Sequence, residues 1–131
     1  MLPIRDLRNI ARARLRDAEV LSRARCFDGA VYVCGYAIEI GLKARICRTL
    51  RWAGFPGTHA EFQGYASFRT HDLAVLLRLS GRESMIRTRH WASWSVVAMW
   101  NPEARYVPPG STSAADAQEM LRSAHAILRA L

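Results

Sequence analysis

Lysine is nearly absent from this chain. Its basic side chains are 18 Arg and a single Lys, Lys43, set against 11 acidic residues for a formal net charge of +8. Cysteine is scarce too. Cys26, Cys34 and Cys47 are odd in number and separated by 7 and 12 residues, which matches no zinc-ligand spacing and argues against a disulfide-stapled secreted module. Long apolar runs are missing: the longest, Gly29 to Leu42, is broken by Glu39 and falls short of the ~20 residues that a membrane span needs. The first 14 residues contain no uninterrupted apolar segment of a secretory signal, and Asp6 and Asp17 are foreign to a transit peptide. The expectation is a soluble, cytoplasmic domain without membrane association. No Gly-rich phosphate loop, GxSxG elbow or HExxH helix occurs, and His59, His71, His90 and His125 lie far apart in the chain. Neither a cofactor nor a metal is therefore expected from any motif.

What is present suits one domain spanning residues 1–131, since 50% hydrophobic residues suffice for a core and exclude a disordered tail. The positive excess favours polyanions, RNA or DNA above all, through counterion release. It is unevenly spread: residues 1–51 carry a net +6, residues 52–110 a net +2, and the remainder none.

The periodicity is helical throughout and implies an all-α, up-and-down bundle of four main helices and one short one. Residues 4–25 place Arg5, Arg8, Arg12, Arg16, Glu19 and Arg23 on one face and Leu7, Ile10, Ala11, Ala18 and Leu21 opposite. Asp28 reads as the cap of a second helix reaching Leu50, in which Gly29, Ala30, Gly35, Ala37 and Gly41 allow close helix approach. Residues 53–68 read as a long Gly/Pro-punctuated connection. Thr70 is expected to cap a short helix from His71 to Leu79, and Ser80 with Glu83 fits a capping box for the next helix, residues 82–100. The apolar positions of that helix form no single stripe, which predicts heavy burial or a break near His90. Asn101-Pro102 stops it, Arg105–Gly110 is a loop, and Thr112 or Ser113 opens a final helix.

Two constellations could carry chemistry. Asp28, Tyr32, Tyr36, Glu39 and Lys43 share an arc of about 80° on the second helix. They suit a nucleotide or RNA pocket, or simply the polar face of an amphipathic helix with Glu39 and Lys43 as an i,i+4 pair. In Trp100–Tyr106, Arg105 could grip phosphate in a bidentate manner while Tyr106 stacks on a base. Alternatively, Arg105 returns to Glu39 or Glu103 as a structural ion pair. The arginine face of the first helix is a third polyanion candidate, solvated surface being its plainer reading. Arg87, Arg89 and His90 beside Trp91 add further basic groups next to an aromatic ring.

The stretch Phe27–Arg45 resembles the core helix of the HEPN family (higher eukaryotes and prokaryotes nucleotide-binding domains). The preceding Arg-rich helix, the His71-Asp72-Leu73 helix start and Trp100–Tyr106 are similar as well, so the likeness runs over about residues 8–130. The resemblance implies a helical bundle, a homodimer and a nucleotide- or RNA-related role. It also implies a place in toxin–antitoxin or defence modules, where members act as RNA-cleaving toxins or as companions of small nucleotidyltransferases. Ribonuclease members carry Arg, four to six residues, then His. Here Arg51–His59 and Arg82–His90 are each separated by seven. The implied role is thus a binding or partner module with Arg105, Tyr106 and Glu39 as contact residues. The alternative is a divergent, metal-independent ribonuclease using His90 as general base with Arg87, Arg89 or Arg105 stabilising the transition state.

Overall fold

The computed structural model describes residues 1–131 as an all-α bundle. Its elements are β1 (Leu2–Pro3), α1 (Ile4–Arg23), α2 (Phe27–Leu50), β2 (Gly54–Phe55), α3 (Leu73–Leu79), α4 (Glu83–Arg89), α5 (Trp91–Val97) and α6 (Ala114–Ala130). No helix is long and apolar enough to cross a membrane.

α2 is the hub, packed against α1, α6 and α3. Buried positions occur all round it, from Ala30 and Cys34 through Ile38 and Leu42 to Ile46 and Cys47, as expected of an enclosed helix rather than an amphipathic one. α1 is the amphipathic partner: Leu7, Ala11, Leu15 and Ala18 are buried while Arg5, Arg8, Arg12, Arg16 and Arg23 face water. The small residues of α2 act as the sequence suggests. A Cβ on Gly35 would lie 2.0 Å from the Trp100 ring, and one on Gly41 would lie 2.3 Å from the Leu128 side chain. α2 ends in a Schellman turn, with Trp52 N–H donating to the Cys47 carbonyl (2.8 Å) and Arg51 in the left-handed region at φ 57°.

The connection after α2 is more ordered than its Gly/Pro content suggests. β2 pairs antiparallel with β1, Leu2 opposite Phe55, and Trp52, Phe55, Phe62, Tyr65 and Phe68 pack ring to ring at 5.0–6.4 Å. Several local expectations are corrected. Asp28 lies inside the first turn of α2 rather than capping it. Asp72, not Thr70, caps α3, because its carboxylate accepts from Ala74 N–H and Val75 N–H while Thr70 Oγ1 accepts from Asp72 N–H. Ser80 and Glu83 form no capping box. The buried Ser80 hydroxyl donates to the Leu77 carbonyl and accepts from Arg82 N–H, leaving Glu83 to pair with Arg87 at 3.4 Å.

The helix expected over 82–100 is two helices, broken at His90 (φ −130°, ψ 30°). Ile86 before the break and Trp94 and Val97 after it all reach the core. Three long and three short helices therefore make the bundle. α6 opens on a capping box between Ser113 and Asp116.

Gly35→Ala drives a methyl group into a rigid indole and is expected to lower the unfolding free energy by about 1–3 kcal/mol in urea denaturation. Gly41→Ala meets only the movable end of Leu128 and costs less. Burial pushes the thiols of Cys34 and Cys47 up to about 12 and about 11, whereas Cys26 is exposed. A colorimetric disulfide reagent is therefore expected to titrate one thiol in the folded chain, lost in Cys26→Ser, and all three in denaturant.

Candidate functional site

Glu39 is the one carboxylate in the core, at 3% exposure near the middle of α2. A buried charge persists only when paired. Lys43 Nζ stands 3.6 Å from Glu39 Oε1, one turn further along α2, and His71 Nδ1 contacts the same oxygen from the N-terminal end of α3. The Lys43 ammonium also lies over the Phe55 ring, 5.4 Å from its centroid, which ties the pair to the aromatic cluster of the connection. His71 is 61% exposed at its side chain, so its far edge faces solvent while the near edge is held.

Beside this recess stand the tyrosines. Tyr36 packs edge-on against Tyr32 (5.2 Å between centroids) and against Trp100 (5.0 Å), and its ring centroid lies 6.4 Å from that of His71. Its phenol is pushed up, first by the Tyr32 hydroxyl beside it, then by burial and by the Tyr32 and Glu39 charges; Arg105 acts in the opposite sense. Trp100 sits on Gly35 with its indole N–H buried and unpartnered. That seat fixes the turn that follows. Asn101 caps it by accepting from Glu103 N–H at 2.9 Å, and Pro102–Tyr106 form a single 3-10 turn.

Arg105 lies on that turn with its guanidinium 4.8 Å from the centroid of the Tyr106 ring, which is 71% exposed. Arg105 makes an ion pair with neither Glu39 nor Glu103. Its guanidinium is held charged chiefly by Tyr106, with Glu103 and Tyr32 adding to the effect. Tyr32, Tyr36, Glu39, Lys43, Arg105 and Tyr106 thus belong to one neighbourhood around the middle of α2.

Asp28 leaves this group. Its two oxygens accept from Gly110 N–H (2.7 Å) and Thr112 N–H (2.9 Å), fastening the 107–112 loop to the start of α2. The alternative set is dispersed as well. His90 sits at the α4–α5 break, while Arg87 turns to Glu83 and lies over Trp91, 5.9 Å from its ring centroid. His90 lacks a carboxylate partner, which His71 and His125 each possess. His71 was legible only as a helix start. Its pairing across 32 residues with Glu39 needs the tertiary fold, although a histidine just before a capping Asp is well placed to reach a neighbouring helix.

The arrangement offers a carboxylate-oriented imidazole, an ammonium, a free guanidinium and three phenols. That chemistry suits an anionic ligand with a flat, stackable ring. No three His, Cys, Asp or Glu side chains converge in a way that could hold a metal ion. No protein-family model, curated protein or solved structure matches this chain.

Hydrogen bonds from Thr112 and then from Gly110 hold the Asp28 carboxyl below the ordinary 3.8. A depressed carboxylate contributes stability above its unfolded value and loses it as pH falls through the folded one. The Gly110 and Thr112 amide resonances are accordingly expected to shift together, with a midpoint below 3.8, and to lose that titration in Asp28→Asn.

Proposed function

We propose that this chain is a HEPN-like binding module that engages a nucleotide or RNA through the surface around Glu39 and has no nuclease activity of its own. The observation that carries the reading is the Arg105–Tyr106 pair, an exposed guanidinium on an exposed ring, free of any carboxylate and adjoining Tyr32 and Tyr36. Arg105 would contact phosphate, Tyr106 would stack on a base, Lys43 would supply positive charge at the rim and His71 a hydrogen-bonding edge. Glu39 positions the ammonium and the imidazole. The likeness of α2 and of Trp100–Tyr106 to the family supports a homodimer. It also supports a small nucleotidyltransferase as protein partner in a toxin–antitoxin or defence setting.

One observation favours a second reading, metal-independent RNA cleavage at the cleft of a dimer. The exposed His71 has Nδ1 on the Glu39 carboxylate, the arrangement that orients a general base, whereas His90 does not. A cleaving surface would then be built from His71 and Arg105 in place of His90 and Arg87.

Fluorescence anisotropy with a labelled single-stranded RNA tests the first reading. Binding is expected to weaken with added salt, and by roughly five- to a hundredfold in Arg105→Ala and in Tyr106→Ala. Binding that is absent at low salt, or untouched by both substitutions, overturns it. If wild type cuts the RNA, with cutting lost in His71→Ala and kept in His90→Ala, the second reading replaces it.

A further inference from the structure

Between α2, α5 and the start of α6 lies a cavity of about 580 Å³, bounded on its remaining side by the turn Pro102–Tyr106. Val31, Val96 and Met120 form its apolar floor, while Met99 and Val107 stand at its mouth, 84% and 42% exposed. Carboxylates enter from two elements, Glu103 from the turn and Asp116 with Glu119 from α6. No arginine, lysine or histidine lines it, although the chain carries 19 basic side chains.

The fold does not consume all of that negative charge. Asp116 accepts from Ser113 N–H in the α6 capping box, which occupies one of its oxygens. Glu103 and Glu119 form no ion pair. Glu103 acts on Arg105 only at a distance, adding to the hold on its charge. Residues 116 and 119 are i and i+3 on α6, so their side chains share one face of that helix. The wall of the cavity also holds an orphaned donor. Trp100 is 7% exposed, and its Nε1–H is buried with no acceptor. A buried donor left unpaired is costly, and Gly35, on which the indole rests, has no side chain to offer it.

We propose that this cavity binds an acylated linear polyamine. Its volume falls in the range of about 300–1,000 Å³ usual for small-molecule sites, which combine an apolar lining with a few convergent polar groups. Each part of such a molecule has a counterpart here. Ammonium groups set against Glu103 and Glu119 make charge-assisted hydrogen bonds. The methylene spacer between them is buried on Val31, Val96 and Met120. The acyl carbonyl accepts from the Trp100 indole. The unbranched side chains of Met99 and Met120 adapt readily to a thin aliphatic chain. Neither Arg105 nor Tyr106 lines the cavity, so the site is separate from the surface proposed for nucleotide or RNA and does not depend on it.

Isothermal titration calorimetry at constant ionic strength, with monoacetylated spermidine as the probe, tests this. Wild type is expected to bind it at one site per chain, and about fivefold more tightly than spermidine, which lacks the carbonyl. Glu103→Gln and Glu119→Gln, both at exposed positions, are each expected to weaken binding roughly tenfold. Glu83→Gln, which removes an acid of α4 outside the cavity, is expected to leave it unchanged. In a nitrogen-15-labelled chain, the Trp100 indole N–H resonance is expected to move downfield with the acetylated probe and less with spermidine. No saturable binding by wild type overturns the proposal, as does wild-type affinity in both Glu103→Gln and Glu119→Gln. Spermidine binding as tight as that of its acetylated form, with the indole resonance unmoved, overturns it as well, because Trp100 then plays no part.

Discussion

Glu39 sits where water is scarce, on a helix enclosed by its neighbours, and its carboxylate is tolerated there because an ammonium and an imidazole both reach it. Lys43 comes at no topological cost, being one turn along the same helix. His71 must be brought back by the chain. α2 runs eleven residues beyond Glu39 to Leu50, a rise of about 16 Å, and α3 has to begin beside the middle of α2 rather than its end. The 51–72 connection covers that return. Its aromatic cluster, with Phe55 under the Lys43 ammonium, gives the return path a packed interior of its own.

A second constraint is the thinness of α2 at Gly35 and Gly41. Glycine inside a helix costs roughly 1 kcal/mol relative to alanine, and here the loss is offset by letting Trp100 and Leu128 lie directly on the backbone. The indole on Gly35 is what sets the Pro102–Tyr106 turn beside Tyr36. Without that seat Arg105 and Tyr106 would have no defined position relative to α2. The structural packing of one glycine and the surface chemistry of the neighbouring turn are therefore the same problem.

Much of this was readable from residue patterns, and the parts that were not share a cause. The extents of α1 and α6 and the C-terminal end of α2 follow from apolar period and breakers, and Ser113 was one of two residues, with Thr112, that could open α6. The break at His90 was one of two readings, beside heavy burial, that the failure of the apolar positions to align left open. Competition between local caps was not visible: Thr70 and Asp72 both can cap, and only the backbone path decides in favour of Asp72. Ser80 had the right spacing to Glu83, yet burial committed its hydroxyl to the backbone of its own turn. The polar arc on α2 was legible as an arc, but not that Asp28 would be drawn off by a loop more than eighty residues away. Contacts of that range carry no local signature, and the same holds for His71 against Glu39.

The near-exclusive use of arginine has a consequence for how this protein meets its surroundings. A guanidinium stays protonated far beyond neutrality, and here the only side-chain ammonium is Lys43, which is recessed beside Glu39. The positive field along α1 is consequently a fixed quantity: alkaline conditions that would discharge a lysine-coated surface leave it standing. Reagents and modifying enzymes that seek primary amines on side chains meet a single, partly shielded target. Attraction of this face toward anions is thereby governed by ionic strength and hardly at all by alkaline pH.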